Sequence, residues 1–156
     1  MTGKAFPRIA DLVPHSGGMC LLREVLAHSA DRTVCRVDPA DSALLAEPDG
    51  RVPVHVGLEY MAQCVAVHGG LASRARGEAP RPGLFLGSRR VHLGAQELPP
   101  GPLEVEARHH RGERGLVAFD CSVRDPAGGA ALVECRVNVY IVEHWEDLLE
   151  EPADGA

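Results

Sequence analysis

The chain has 156 residues, 45% of them hydrophobic and 24% charged, with a net charge of −6. This length suits one domain with a core of its own, and the composition excludes a disordered or fibrous chain. Six acidic residues fall after position 142 with no Lys or Arg among them, so the body from 1 to 142 is neutral and carries no general basic field for nucleic acid.

Along the chain, Pro7 and Pro14 frame a short helix over Pro7–Val13. Leu21–Ala27 and Thr33–Val37 read as strands joined by a short polar hairpin connection. Residues 38–51, rich in Asp, Pro and Ala, read as an irregular loop. From Val54 to Ala72 the chain is apolar on nearly every side of a helix, the pattern of a buried helix. Arg74–Gly83 is a Pro/Gly/Arg loop, and the period then changes. Leu84–Leu93, Leu103–His109, Gly115–Arg124 and Ala131–Val142 read as four strands, separated by turns at Pro99-Pro100-Gly101 and around Asp125–Gly129. A surface helix is expected over His144–Glu150, with Trp145 docked on the body and residues 143–156 forming an acidic tail beside a single 1–142 domain. Two strands, one buried helix and four strands predict an α+β fold: a curved antiparallel sheet of about six strands wrapped around one long helix. A second subunit would cover the surface that one sheet leaves bare.

The five cysteines, at 20, 35, 64, 121 and 135, form no C-x-x-C pair and follow no secretory leader. Reduced thiols in a cytoplasmic protein are expected. The longest uncharged stretch, Tyr60–Ser73, is too short to span a bilayer. His109 and His110 are adjacent on a strand and point to opposite faces. With no other metal-type spacing, no metal is expected.

The chemistry-bearing residues gather on the helix. Glu59 near its start is either a desolvated carboxyl with a raised pKa, suited to acid–base work, or a solvated group at the helix mouth favoured by the dipole. Gln63 lies one turn on and on the same face; it either supports that carboxyl or satisfies backbone groups in an interface. His55, four residues before Glu59, would share its face if the helix reaches back that far, and is otherwise an exposed entry residue. His68 falls on the opposite face and reads as structural. Arg74, Arg76, Arg81, Arg89 and Arg90, with Glu78 alone against them, are either solvated surface or a dock for an acidic partner.

Three stretches resemble the FabZ-type 3-hydroxyacyl-[acyl carrier protein] dehydratases of the hotdog fold. Leu12–Val25 is similar to their opening motif, through Pro14, His15, Leu21, Leu22, Arg23 and Val25. Glu59-Tyr60-Met61-Ala62-Gln63 is similar to their helix motif, and Phe85–Leu93 to the strand that follows. The phrase VGLEYMAQ followed by HGG resembles the ApeP-like branch, associated with aryl polyene lipid biosynthesis. The resemblance implies Glu59 as the catalytic carboxyl, Gln63 beside it, and Gly57, Met61, Phe85 and Gly87 along the acyl substrate. It implies His15 as a shaping residue of the N-terminal segment. It further implies a substrate carried on the phosphopantetheine of an acyl carrier protein, docked by the five arginines, with no other cofactor. One departure matters. Such enzymes take their base, a His, from the loop before the helix, and counting back fourteen residues from Glu59 reaches Leu45 in a stretch without His. Either His55 replaces that base, or a His-bearing hotdog partner in a homo- or heterodimer supplies it. A hotdog thioesterase and a non-catalytic acyl-binding or assembly subunit are the alternative functions.

Overall fold

The computed structural model describes residues 5–110, 112–144 and 146. In chain order the strands and helix are β1 Leu22–His28, β2 Arg32–Val37, β3 Val52–Pro53, α1 Gly57–Ala75, β4 Gly83–Leu93, β5 Glu97–Leu98, β6 Leu103–His109, β7 Leu116–Arg124 and β8 Val133–Ile141. Six strands form one antiparallel sheet in the order β1-β2-β6-β7-β8-β4, and β3 pairs with β5 as a separate two-residue ladder. This is the antiparallel sheet packed on one long helix that the pattern predicts, and the hotdog fold that the resemblance implies. Most of the expected surface helix at 144–150, Trp145 and most of the acidic tail lie outside the described residues.

α1 lies across β1, β2, β6, β7 and β8. Among its residues only Gly69, Arg74 and Ala75 are exposed. Tyr60, Met61, Cys64 and Val67 join Val37, Val105, Val123, Val133 and Val137 in the core. The helix starts later than its apolar pattern suggests. Pro53 is extended (ψ 144°), and Val54–Val56 form a single 3-10 turn before the α-helix begins. It also ends later, because the stop is Gly77 in the left-handed region (φ 70°). Glu78 N–H and Arg76 N–H close the end on the Ser73 carbonyl.

The other side of α1 is covered by the N-terminal segment. The expected helix over Pro7–Val13 shrinks to one 3-10 turn, Ile9–Asp11, since two flanking prolines leave no room for more. Leu12 and Val13 are buried behind it, and a Cβ added at Gly70 would stand 2.6 Å from the Leu12 carbonyl oxygen. The 38–51 loop is more ordered than its composition suggests. Asp38 caps a 3-10 turn at Pro39–Asp41, and Ser42 Oγ meets the buried Tyr60 hydroxyl at 2.5 Å.

β4 differs from the other strands. It is a sheet edge with no buried residue, and Phe85, Leu86, Val91 and Leu93 stand 43–56% exposed. Register shifts interrupt its pairing with β8 between Phe85 and Gly87 and between Arg89 and His92.

Two glycines of α1 separate close packing from helix propensity. An added Cβ at Gly57 would collide with Val133 Cγ1 on β8, whereas nothing lies within 4 Å of one at Gly69. Gly57→Ala is therefore expected to lower stability by about 1–3 kcal/mol. Gly69→Ala is expected to raise it by about 0.5–1 kcal/mol. Urea midpoints of the two variants check this; a stabilising Gly57→Ala would show that the helix start is not held against β8.

Candidate functional site

The first turn of α1 carries Glu59, and its side chain is 33% exposed. Of the two settings expected for it, desolvated or solvated, Glu59 takes an intermediate one. Gln63, one turn along, is fully buried and fully engaged. Its Oε1 accepts from the Leu21 N–H at 3.0 Å, and its Nε2 donates to the Met19 carbonyl at 2.7 Å and to Glu59 Oε1 at 2.9 Å. The same Glu59 oxygen lies 3.3 Å from His15 Nε2. Two side chains therefore converge on Oε1, and among the described residues Oε2 has no such partner. His15 Nδ1 is buried and has no hydrogen-bond partner there.

Local chain geometry brings His15 to this point. Gly17 takes a left-handed φ of 57°, and Gly17–Met19 form a 3-10 turn that folds the segment back over α1. Gly18 lies under Leu44, where a Cβ would stand 2.8 Å from Leu44 Cδ1. The 38–51 loop thus packs on the turn beside Glu59 and offers Leu44 and Leu45 there.

Of the residues expected at the site, Glu59 and Gln63 come together. His55 does not join them. It is exposed in the 3-10 turn, so the four-residue helical spacing to Glu59 does not hold. Gly57 and Met61 occupy the face of α1 opposite Glu59. Both are buried, Gly57 against Val133 and Met61 with its sulfur 3.4 Å from Cys135 Sγ. Phe85 and Gly87 flank a register shift on the exposed edge β4. The five arginines are all exposed, and Arg76 and Arg81 both pair with Glu78, at 3.1 and 3.5 Å. His15 is the residue that sequence reasoning placed in a purely shaping role and that the structure sets against the carboxylate.

A second polar group surrounds the far part of α1. Thr33 Oγ1 meets His68 Nδ1 and His28 Nδ1, each at 2.8 Å. His109 stacks on His68 with ring centres 5.8 Å apart, and Phe119 packs edge-on to both. Its neighbour His110 points outward and pairs with Asp120 at 2.5 Å, as strand alternation requires. Burial, helped by the facing His28 and His109 and opposed by Asp31, takes the His68 pKa down to about 4. Among the described residues no group of three or more His, Cys, Asp or Glu is arranged to hold a metal ion.

Comparison with known proteins supports the same architecture. The family model described as ApeP-like, ApeP dehydratase, matches residues 7–150. The dehydratase heterocomplex ApeI:P from Xenorhabdus doucetiae superposes with a TM-score of 0.83 at 24% identity, covering 94% of this chain and 99% of that one. Zebrafish thioesterase superfamily member 2 gives a TM-score of 0.60 at 13% identity, over 86% of this chain and 91% of its own. A thioesterase from Haemophilus influenzae gives 0.53 at 14% identity, over 76% and 77%. At these identities the structural likenesses speak to the fold. No curated protein matches the sequence.

The histidine group implies an acid-side loss of stability. Between pH 6.5 and about 4 the unfolded chain binds a proton that folded His68 excludes. Stability is therefore complete above pH 6.5 and falls as the pH drops toward 4, by up to about 3 kcal/mol from this group. Asp120, held down to about 2 by Arg136, acts in a separate window below pH 3.8. Urea titrations from pH 7 to 4 should show the slope, and His68→Leu should flatten it; an unchanged slope in that variant would assign it elsewhere.

Proposed function

The chain belongs to the ApeP-like dehydratase family, and from that premise we propose that it is the carboxylate-bearing subunit of a heteromeric 3-hydroxyacyl-thioester dehydratase in aryl polyene lipid assembly. One observation carries the proposal. Glu59 is fixed at one oxygen and open at the other, yet the 38–51 loop beside it brings no imidazole.

The reaction needs two proton carriers and a place for developing charge. A base takes a proton from C2, the electron pair forms the C2–C3 double bond, and the C3 hydroxyl leaves as water with a proton from an acid. Glu59 serves the hydroxyl through its uncommitted Oε2. The positive end of the α1 dipole, at its first turn, favours the charge that gathers on the thioester oxygen. The base comes from a histidine of the partner subunit. The heteromeric nature of the Xenorhabdus doucetiae complex supports such a partner. So does β4, a bare edge that is apolar through Phe85, Leu86, Val91 and Leu93 and would continue a sheet into a second subunit. Phe85 and Gly87 on that edge are the proposed acyl contacts, and Gly57 and Met61 support the site from the core.

An acidic acyl carrier protein is the proposed source of substrate, steered by Arg74, Arg76, Arg81, Arg89 and Arg90. The five free thiols are consistent with a reducing, cytoplasmic setting. Among the described residues no helix is long and apolar enough to cross a membrane. The likeness to thioesterases extends to fold alone, and the family match favours dehydration.

Two measurements test this. On a 3-hydroxyacyl carrier-protein substrate, activity should require mixing with a His-bearing hotdog subunit and should fall about 10²–10⁴-fold in Glu59→Gln. Full activity of the chain alone, lost in His55→Ala, would overturn the proposal. Reversing Arg74 and Arg81 to Glu, both outside β4, should weaken carrier binding about tenfold at low salt and much less at high salt. Binding unchanged at low salt would make these two arginines solvated surface.

A further inference from the structure

Resting on the dehydratase reading above, we propose that His15 is a positioning residue that, together with Gln63, fixes Glu59 by one oxygen and so directs the other at the substrate. The geometry is a two-sided clamp. Gln63 reaches Oε1 along α1 at 2.9 Å, and His15 reaches the same atom from the N-terminal segment at 3.3 Å. Gln63 is itself anchored to that segment, through the Met19 carbonyl and the Leu21 N–H. Both side chains thus belong to one hydrogen-bonded unit, in which the segment of the Gly17–Met19 turn is tied to α1 through Gln63. A carboxylate held so cannot turn about its side chain without breaking the Gln63 hydrogen bond and losing the His15 contact. A free Glu, by contrast, samples several rotamers that place its oxygens ångströms apart.

The ring geometry also settles which role His15 can take. Its Nδ1 is buried without a partner, so that nitrogen cannot reach a substrate. Its Nε2 faces Glu59 Oε1. The Nε2–H tautomer matches this setting, because its single proton has an acceptor and Nδ1 is left as a bare lone pair. A ring with one nitrogen buried and the other engaged has no site from which to take a proton at C2. His15 therefore acts through Glu59, and the missing loop histidine is not replaced by it.

The experiment combines kinetics of the mixed dehydratase with imidazole ¹⁵N NMR of the full chain. His15→Ala is expected to lower kcat about 10–100-fold with KM within about threefold, the scale of a misplaced catalytic group. His15→Gln, whose Nε2 donor sits where the ring Nε2 did, is expected to restore kcat to within about threefold of the parent. The NMR spectrum should show His15 as the Nε2–H tautomer, with that preference lost in Glu59→Ala. The proposal is overturned if His15→Ala leaves kcat unchanged or changes KM alone. It is overturned equally if His15→Gln is as slow as His15→Ala and one ionisation vanishes from the kcat pH profile, which would make His15 a proton carrier. Should His15→Ala fail to fold, the Gln variant and the tautomer decide, and an Nδ1–H ring would reject the clamp. Failure of the dehydratase reading looks different: Glu59→Gln would keep its activity, and the His15 tautomer would be unaffected by that result.

Discussion

α1 must be covered on every side, and the rest of the fold follows from that constraint. Each large apolar side chain buried on it contributes about 1.5–3 kcal/mol, but the few polar groups along it then lose water and must be matched inside the protein. An unmatched one costs about 1–3 kcal/mol. Three of them are matched by three different covering segments. Gln63 binds the Met19–Leu21 segment, Tyr60 binds Ser42 of the 38–51 loop, and His68 binds Thr33 of β2. Apolar burial brings these segments to the helix without choosing a register. The hydrogen bonds choose it, because each of these three buried groups finds its partner in only one placement of its segment.

The candidate site is a by-product of the same matching. Gln63 has one amide to place, and satisfying it fixes the N-terminal segment beside the first turn of α1. Glu59 lies one turn away on the same face, so whatever that segment carries becomes its neighbour. It carries His15. On the opposite face Gly57 lets the helix start press on Val133 of β8. The first turn is thus held from both sides while the carboxylate stays partly open to solvent.

This explains what the sequence showed and what it hid. The buried helix, the strand order and the inward and outward faces of His109 and His110 depend on periodicity, a local property. Glu59 and Gln63 were legible for the same reason, being four residues apart on one helix. His15 lies 44 residues from Glu59, and their meeting depends on a turn closing over a helix, which no local pattern encodes. The available signal was indirect: a Gln on the Glu59 face of a buried helix needs backbone partners, and a Gly-Gly turn just after Pro14-His15 could supply them. His55 had two readings, and the structure takes the exposed entry residue. Its spacing is right for an α-helix, but Pro53 and the 3-10 turn after it break the phase. β4 was legible as a strand and not as an edge, since an apolar run such as Leu84-Phe85-Leu86 reads the same in the middle of a sheet.

The bare edge and the half-open carboxylate call for the same complement. A sheet edge with four large apolar side chains is an aggregation hazard unless something covers it. Here β4 carries few of the usual deterrents: Arg89 and Arg90 lie at its second irregularity, and the Phe85–Leu86 end has an irregularity but no charge. A helix apolar all round already buries what one sheet can bury, so the uncovered surface falls at β4. A carboxylate doing acid–base chemistry also needs water excluded, which this chain does not achieve for Glu59 by itself. On the proposal made here, one second subunit meets both needs. It extends the sheet from β4 and closes over the site, and the imidazole absent from the 38–51 loop arrives on the same surface. The chain's own residues then have a narrower task, which is to hold one oxygen still and present the other.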